Sequence, residues 1–210
     1  TGCGRTDTGV HAQQYFAHFD LEEKDLEYIT KHRLNATLPP DIAILGIYKT
    51  RDDFHARYDA FHRKYIYKIH TQKNPFTRKT SFYFTGIQTK DLDALQTVSE
   101  LIGSCTQFQS FAKTNSGNEN FNCHLTESRW IQTDDSNFEY HIASNRFVRG
   151  MVRLCVGACL SYATGKINLE DIQLAISSGN QIPKSWSVPA HGLSLVEIDY
   201  PDRNQWIRLD

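Results

Sequence analysis

Apolar positions recur at helical spacing in three stretches and alternate in several shorter ones. Leu92, Leu95, Val98, Leu101 and Ile102 repeat every three or four residues, with Thr89 or Asp91 to cap the start and Gly103 to end it, so 89–103 reads as an amphipathic helix. From Asn145 to Gly165, NRFVRGMVRLCVGACLSYATG, the body is apolar on nearly every side, the pattern of a helix buried in the middle of a protein. A shorter helix begins at Asn168 and runs through Leu169, Ile172, Ala175 and Ile176 to Gly179, and 20–34 is loosely amphipathic through Leu26, Ile29 and Leu34. Alternation marks strands at 12–19, 60–70, 125–133, 138–143 and 193–200, and Ile42, Ile44 and Ile47 suggest another after the stop at Pro39 and Pro40. Asp134 to Asn137 reads as a turn, and 113–123, with Asn115, Ser116, Gly117, Asn118 and Asn120, as a polar surface loop. Strands and helices in alternation, with hairpin-like pairs among them, predict an α+β protein with mostly antiparallel sheets.

The strand 60–70 has two unlike faces. Phe61, Arg63, Tyr65, Tyr67 and Ile69 fall on one; His62, Lys64, Ile66 and Lys68 fall on the other. It lies in a basic stretch, Arg57, Arg63, Lys64, Lys68, Lys73, Arg78 and Lys79, in which Asp59 is the only acid. Two accounts fit the basic face, an edge strand with a solvated charged surface or phosphate contact by Lys64 and Lys68, and the plain account of Tyr65 is that it packs in the core. The composition changes between Tyr48 and Tyr58, which divides the chain into 1–56 and 57–210.

Composition alters this picture little. Of 210 residues 40% are hydrophobic and 12% aromatic, enough to bury a core, and a formal charge of −1 leaves any nucleic-acid reading to a local patch. The five cysteines, at 3, 105, 123, 155 and 159, form no CxxC pair, and no run is long enough to span a bilayer, so a reducing cytoplasm is the expected home. Cys155 and Cys159 share a helix face among Leu154, Val156, Ala158 and Leu160 and read as core residues. The chain opens on Thr1, with no strand or helix before its glycine-rich loop, and reads as the remainder of a longer polypeptide.

That loop, GCGRTDTGVHA from Gly2 to Ala12, carries one carboxylate, Asp7, with Arg5 before it and His11 after. Glycine permits positive φ and close approach at an entropic cost, so a loop with three of them is built to hold something. Gly2 and Gly4 begin a G-x-G-x-x-G pattern, but Asp7 stands where the third glycine belongs, which argues against a nucleotide cofactor. Asp7 and His11, with His55 or His62, lack the spacing of a known zinc or calcium motif. A single carboxylate acting as nucleophile or base remains, beside the plain alternative of a turn aspartate bonded to its own backbone. Far along the chain, Arg149 and Arg153 are expected to stack one helical turn apart at the start of the buried helix. The apolar flanks of Arg153 make it costly there unless it meets an anion.

GRTDTGVHA, Gly4 to Ala12, resembles the aspartate loop of the tRNA pseudouridine synthase A family. FHARYDAFHRKYIYKI from Phe54, FVRGMVRLCVG from Phe147 and PAHGLSLVEIDYP from Pro189 are similar to that family's further motifs, in the same order. The resemblance implies a pseudouridine synthase fold: two similar α+β halves whose mostly antiparallel sheets join in a central sheet, with a cleft between them and a strand and helix preceding the aspartate loop. It implies isomerisation of uridine to pseudouridine at positions 38 to 40 of the tRNA anticodon stem-loop, by a homodimer, without cofactor or metal. Asp7 is then the nucleophile, attacking C6 of uracil or C1′ of ribose, and Tyr65 stacks on the target base and is implied to assist the final proton transfer from C5. Arg153 is implied as the partner of the aspartate, and Arg5 as a group that helps occupy the place of the displaced base. Arg57, Arg63, Lys64, Lys68, Arg149 and His11 are expected substrate contacts. The residues themselves leave a second possibility, a non-catalytic RNA-binding protein using the same basic and aromatic features.

Overall fold

The computed structural model describes residues 1–114, 117 and 119–210, so Asn115, Ser116 and Asn118 of the expected polar loop lie outside the described residues. The fold is α+β. Six strands form the central sheet: β1 (His11–Ala12), β3 (His62–His70), β4 (Phe82–Tyr83), β5 (Leu125–Asp134), β6 (Asn137–Ser144) and β7 (Leu193–Asp199). Their order is β1-β7-β3-β6-β5, with β4 alongside β3. The sheet is mixed, because β1 runs parallel to β7 and β4 parallel to β3, while β3, β6 and β5 are antiparallel. Tyr48–Lys49 (β2) and Ile207–Arg208 (β8) form a separate antiparallel pair.

Two helices close one face of the sheet. α2 (Leu92–Gly103) buries Leu95, Val98 and Ile102, and α3 (Met151–Ala163) buries nearly every residue on its way past them. They form one core with Tyr67, Ile69, Trp130, Tyr140 and Ile142 of the strands. α4 (Leu169–Ser178) starts at Asn168, whose side chain accepts from the Asp171 N–H while Asp171 reciprocates. All five cysteines are free, and burial pushes the Cys159 thiol up to about 12, as befits packing residues.

Several expectations need correction. β3 lies inside the sheet between β7 and β6, so it is not an edge strand. α3 begins only at Met151, after Gly150 in the left-handed region, so Arg146 and Arg149 precede the helix and Arg149 does not stack on Arg153. The strand expected over 12–19 reduces to β1 and an isolated bridge between Gly2 and Ala17. The helix expected over 20–34 is a 3₁₀ segment, Glu23–Tyr28, followed by α1 (Lys31–Thr37), neither with a buried residue. No strand forms over 42–47, where Ile42 is 52% exposed. Asn35 supplies the bonds that a strand partner would, its Oδ1 accepting from the Ile44 N–H and its Nδ2 donating to the Ile44 carbonyl.

The chain forms two compact units. One comprises 1–5, 16–60 and 199–210; the other comprises 6–15 and 61–198 and contains the helices α2, α3 and α4. The first has its own aromatic core of Phe16, Phe54, Tyr200 and Trp206, and Arg51 donates there to Asp53, Asp59 and Asp202. Among the described residues, no helix is long and apolar enough to cross a membrane.

Candidate active site

The loop around Asp7 is rigid for identifiable reasons. The Val10 N–H donates to the Asp7 carbonyl at 3.1 Å, closing a four-residue turn. Gly9, third in that turn, has φ +86°, a conformation side chains resist and the one a type II turn requires there. Directly afterwards β1 pairs with β7, His11 opposite Ser194, and the Gln13 N–H donates to the Leu195 carbonyl at 2.8 Å. The turn is thereby anchored to the sheet on its C-terminal side.

Its carboxylate meets Arg153. Nη1 of Arg153, in the first turn of α3, lies 2.7 Å from Oδ2 of Asp7, although 146 residues separate them. The same guanidinium donates from Nε to the Val188 carbonyl at 2.6 Å. Its side chain is 18% exposed and that of Asp7 30%, so the pair is largely desolvated yet the carboxylate keeps an open side. Two acceptors offset the desolvation that a lone arginine would suffer at this depth.

Beside Val188, the Pro189 carbonyl accepts from the hydroxyl of Tyr67 at 2.8 Å. Tyr67 is fully buried, and burial pushes its phenol far up, with the charge of Arg153 pulling weakly the other way. It therefore serves as a hydrogen-bond donor that fixes 188–189, and not as a proton-transfer group. The alternation that defines the strand faces groups Tyr67 with Tyr65, but only the fold reveals its link to the Arg153 carbonyl partner. Tyr65 stands two residues earlier on the same face of β3, its ring edge-on to Phe147 with centroids 5.0 Å apart.

The other expected site residues are dispersed. Lys64 and Lys68, on the opposite face of β3 from Tyr65, pair with Glu127 at 2.6 Å and Glu139 at 3.2 Å. Burial works to raise both carboxyls, but Lys64 and Arg129 on Glu127, and His141 and Lys68 on Glu139, hold them below the usual carboxylate range. Arg63, at the start of β3, donates to the Asn145 carbonyl at 3.3 Å. Arg149 is exposed just before α3. His11 donates from Nε2 to the Lys79 carbonyl at 2.7 Å, and Nε2 of His62 lies 3.0 Å from Oγ1 of Thr126. In the other unit, Arg5 is exposed and the Arg57 guanidinium lies over the Tyr58 ring, 5.5 Å from its centroid. The structure thus joins Asp7 to Arg153, sets Tyr65 on the same face of β3 as Tyr67, and engages the two lysines elsewhere.

Residues 98–201 match the family model described as tRNA pseudouridine synthase. Similarity to curated proteins called tRNA pseudouridine synthase A runs along nearly the whole chain. The protein of Parabacteroides distasonis is 35% identical over 203 residues, covering 96% of this chain and 79% of the relative. That of Azobacteroides pseudotrichonymphae is 37% identical over 206 residues, covering 98% and 80%. A more distant match, from Staphylococcus aureus strain N315, is 30% identical over 206 residues, covering 97% and 76%.

Proposed function

The chain belongs to the tRNA pseudouridine synthase A family, a family of isomerases, and on that premise we propose that it converts uridine to pseudouridine at positions 38 to 40 of the tRNA anticodon stem-loop, with Asp7 as nucleophile. The observation that carries this reading is the pair of Asp7 and Arg153, which holds one carboxylate oriented and open on one side.

In the proposed reaction Asp7 attacks C6 of uracil or C1′ of ribose. The N1–C1′ bond breaks, the detached base turns, C5 bonds to C1′, and the bond to Asp7 breaks, which returns the free carboxylate. C5 then gives up its proton and N1 gains one, so the product has the composition of the substrate and no redox partner is needed. Arg153 keeps the carboxylate aimed; Arg5, close by in sequence, helps fill the place of the displaced base. A uridine within a stem must be extruded at a cost of a few kcal/mol. Stacking on the Tyr65 ring contributes roughly 1 to 3 kcal/mol, which offsets much of that cost. Arg57, Arg63, Arg149 and His11 serve as further substrate contacts. Lys64 and Lys68 would join them by exchanging Glu127 and Glu139 for phosphate. The reading places the enzyme in the cytoplasm as a homodimer.

The test is tritium release from tRNA transcripts labelled at C5 of uridine. Asp7→Asn is expected to lose turnover by on the order of a thousandfold or more while still binding RNA. Turnover near wild type in that variant would remove Asp7 from the mechanism.

A further inference from the structure

The turn that presents Asp7 also forms part of the wall of a cavity of about 610 Å³, of which the reaction above involves only His11. Gly9 and His11 contribute from the turn and β1, His70 from β3, Arg78 and Lys79 from the segment leading to β4, Tyr83 from β4, and His191 from the turn before β7. Every one of these residues belongs to the unit that carries Asp7.

The charge balance of this cavity is one-sided. No aspartate or glutamate lines it. Lys64 and Lys68 are neutralised by Glu127 and Glu139, whereas among the described residues Arg78 and Lys79 have no carboxylate within ion-pair distance. Three imidazoles complete the wall, and their positions are set. His11 is tied to the Lys79 carbonyl. Nδ1 of His70 lies 2.9 Å from Oγ of Ser81, and its ring stacks on Tyr83 with centroids 5.4 Å apart. Burial lowers the basicity of His70 and of His191; His191 then adds to the effect on His70, and His11 to that on His191. Two imidazoles made less basic by burial, and two cations without a carboxylate partner, share one volume, a place where an anion removes repulsion instead of creating it.

We propose that this cavity receives a phosphodiester of the substrate RNA, gripped by Arg78 and Lys79, with His70 and His191 taking up protons as it enters. The proposal rests on the RNA-modifying reading above and adds a location, because Gly9 and Asp7 share one turn and a phosphate here lies close along the strand to the reacting uridine. It also adds a pH dependence. The groups facing the phosphate are the three histidines, Arg78, Lys79 and Tyr83, so binding is coupled to proton uptake and affinity rises as pH falls from about 8 to about 6.

The test measures binding of an anticodon stem-loop RNA across salt concentration and pH, together with kcat and KM for tritium release. Arg78 and Lys79 are exposed, so Arg78→Ala/Lys79→Ala leaves the fold intact. The double variant is expected to weaken binding about tenfold near 0.1 M salt and to reduce the salt slope by roughly 0.7 to 0.9, with the loss falling on KM. His191→Asn is expected to flatten the rise in affinity between pH 8 and pH 6. An unchanged salt slope and Kd in the double variant would overturn the proposal. So would loss of inorganic phosphate binding, followed by ³¹P resonance, with RNA affinity intact, since that outcome describes a site for the free ion. Wild-type enzyme is assayed for pseudouridine in the same series: absence of product counts against the proposed activity, while the Kd comparison still decides the cavity.

Discussion

The guanidinium of Arg153 bridges two acceptors of different kinds, a carboxylate through Nη1 and a backbone carbonyl through Nε. Lysine keeps the charge but lacks the planar fork that reaches both at once. Arg153→Lys is therefore expected to fold and to lose roughly 10- to 100-fold in kcat/KM, about 1.4 to 2.7 kcal/mol of transition-state stabilisation. A lysine variant with wild-type kcat/KM would show that this bridge does not position Asp7. Arg153 is conspicuous in sequence because a lone cation among Val152, Leu154 and Cys155 demands an anion, and Asp7 is conspicuous because glycines surround it. Val188 and Pro189 leave no such trace. Their contribution is a carbonyl, which every residue possesses, so only the fold shows that Arg153 and Tyr67 converge on them.

At the level of elements, α3 matters through what passes beside it. A side chain at Gly157 would overlap the carbonyl oxygen of Trp186, so helix and 186–189 segment touch backbone to backbone. In an ordinary helix interior, replacing glycine by alanine stabilises by about 1 kcal/mol. Here Gly157→Ala is expected to destabilise by roughly 1 to 3 kcal/mol through overpacking, and to lower activity by displacing the Val188 carbonyl. Urea unfolding gives the sign, and a stabilised variant would refute the close contact. Elements with strong periodicity, α2, α4 and the β5–β6 hairpin, lie where the sequence places them, because each has a face or a turn that only one arrangement satisfies. Over 12–47 the apolar residues are too sparse to demand burial. Leu26, Ile42 and Leu45 stay exposed, and regular structure there is reduced to short pieces.

Over the whole molecule, two sets of groups make stability depend on pH. His70 and His191 are less basic folded than unfolded, so the unfolded chain binds more protons below the ordinary histidine pKa of about 6.5, and stability falls as pH drops through that value. Glu127 and Glu139 are more acidic folded, so their contribution is complete above about 4.3 and is lost as pH falls further toward their lower folded values. Melting temperatures in phosphate-free buffer are expected to decline from pH 7.5 to pH 5 and again below pH 4.5, with His191→Asn blunting the first step only. A flat profile between pH 7.5 and pH 5 would contradict it. The span between Asp7 and Arg153 has a consequence in time as well. At about 5 to 20 residues per second of synthesis, a nascent chain carries Asp7 for roughly 7 to 30 seconds before Arg153, its partner 146 residues on, has been made. Closing so long a loop costs roughly 4 kcal/mol in chain entropy, which packing of α3 and the β1–β7 pairing must supply together. The pair of Asp7 and Arg153 is thus absent from every copy in which synthesis has not passed position 153.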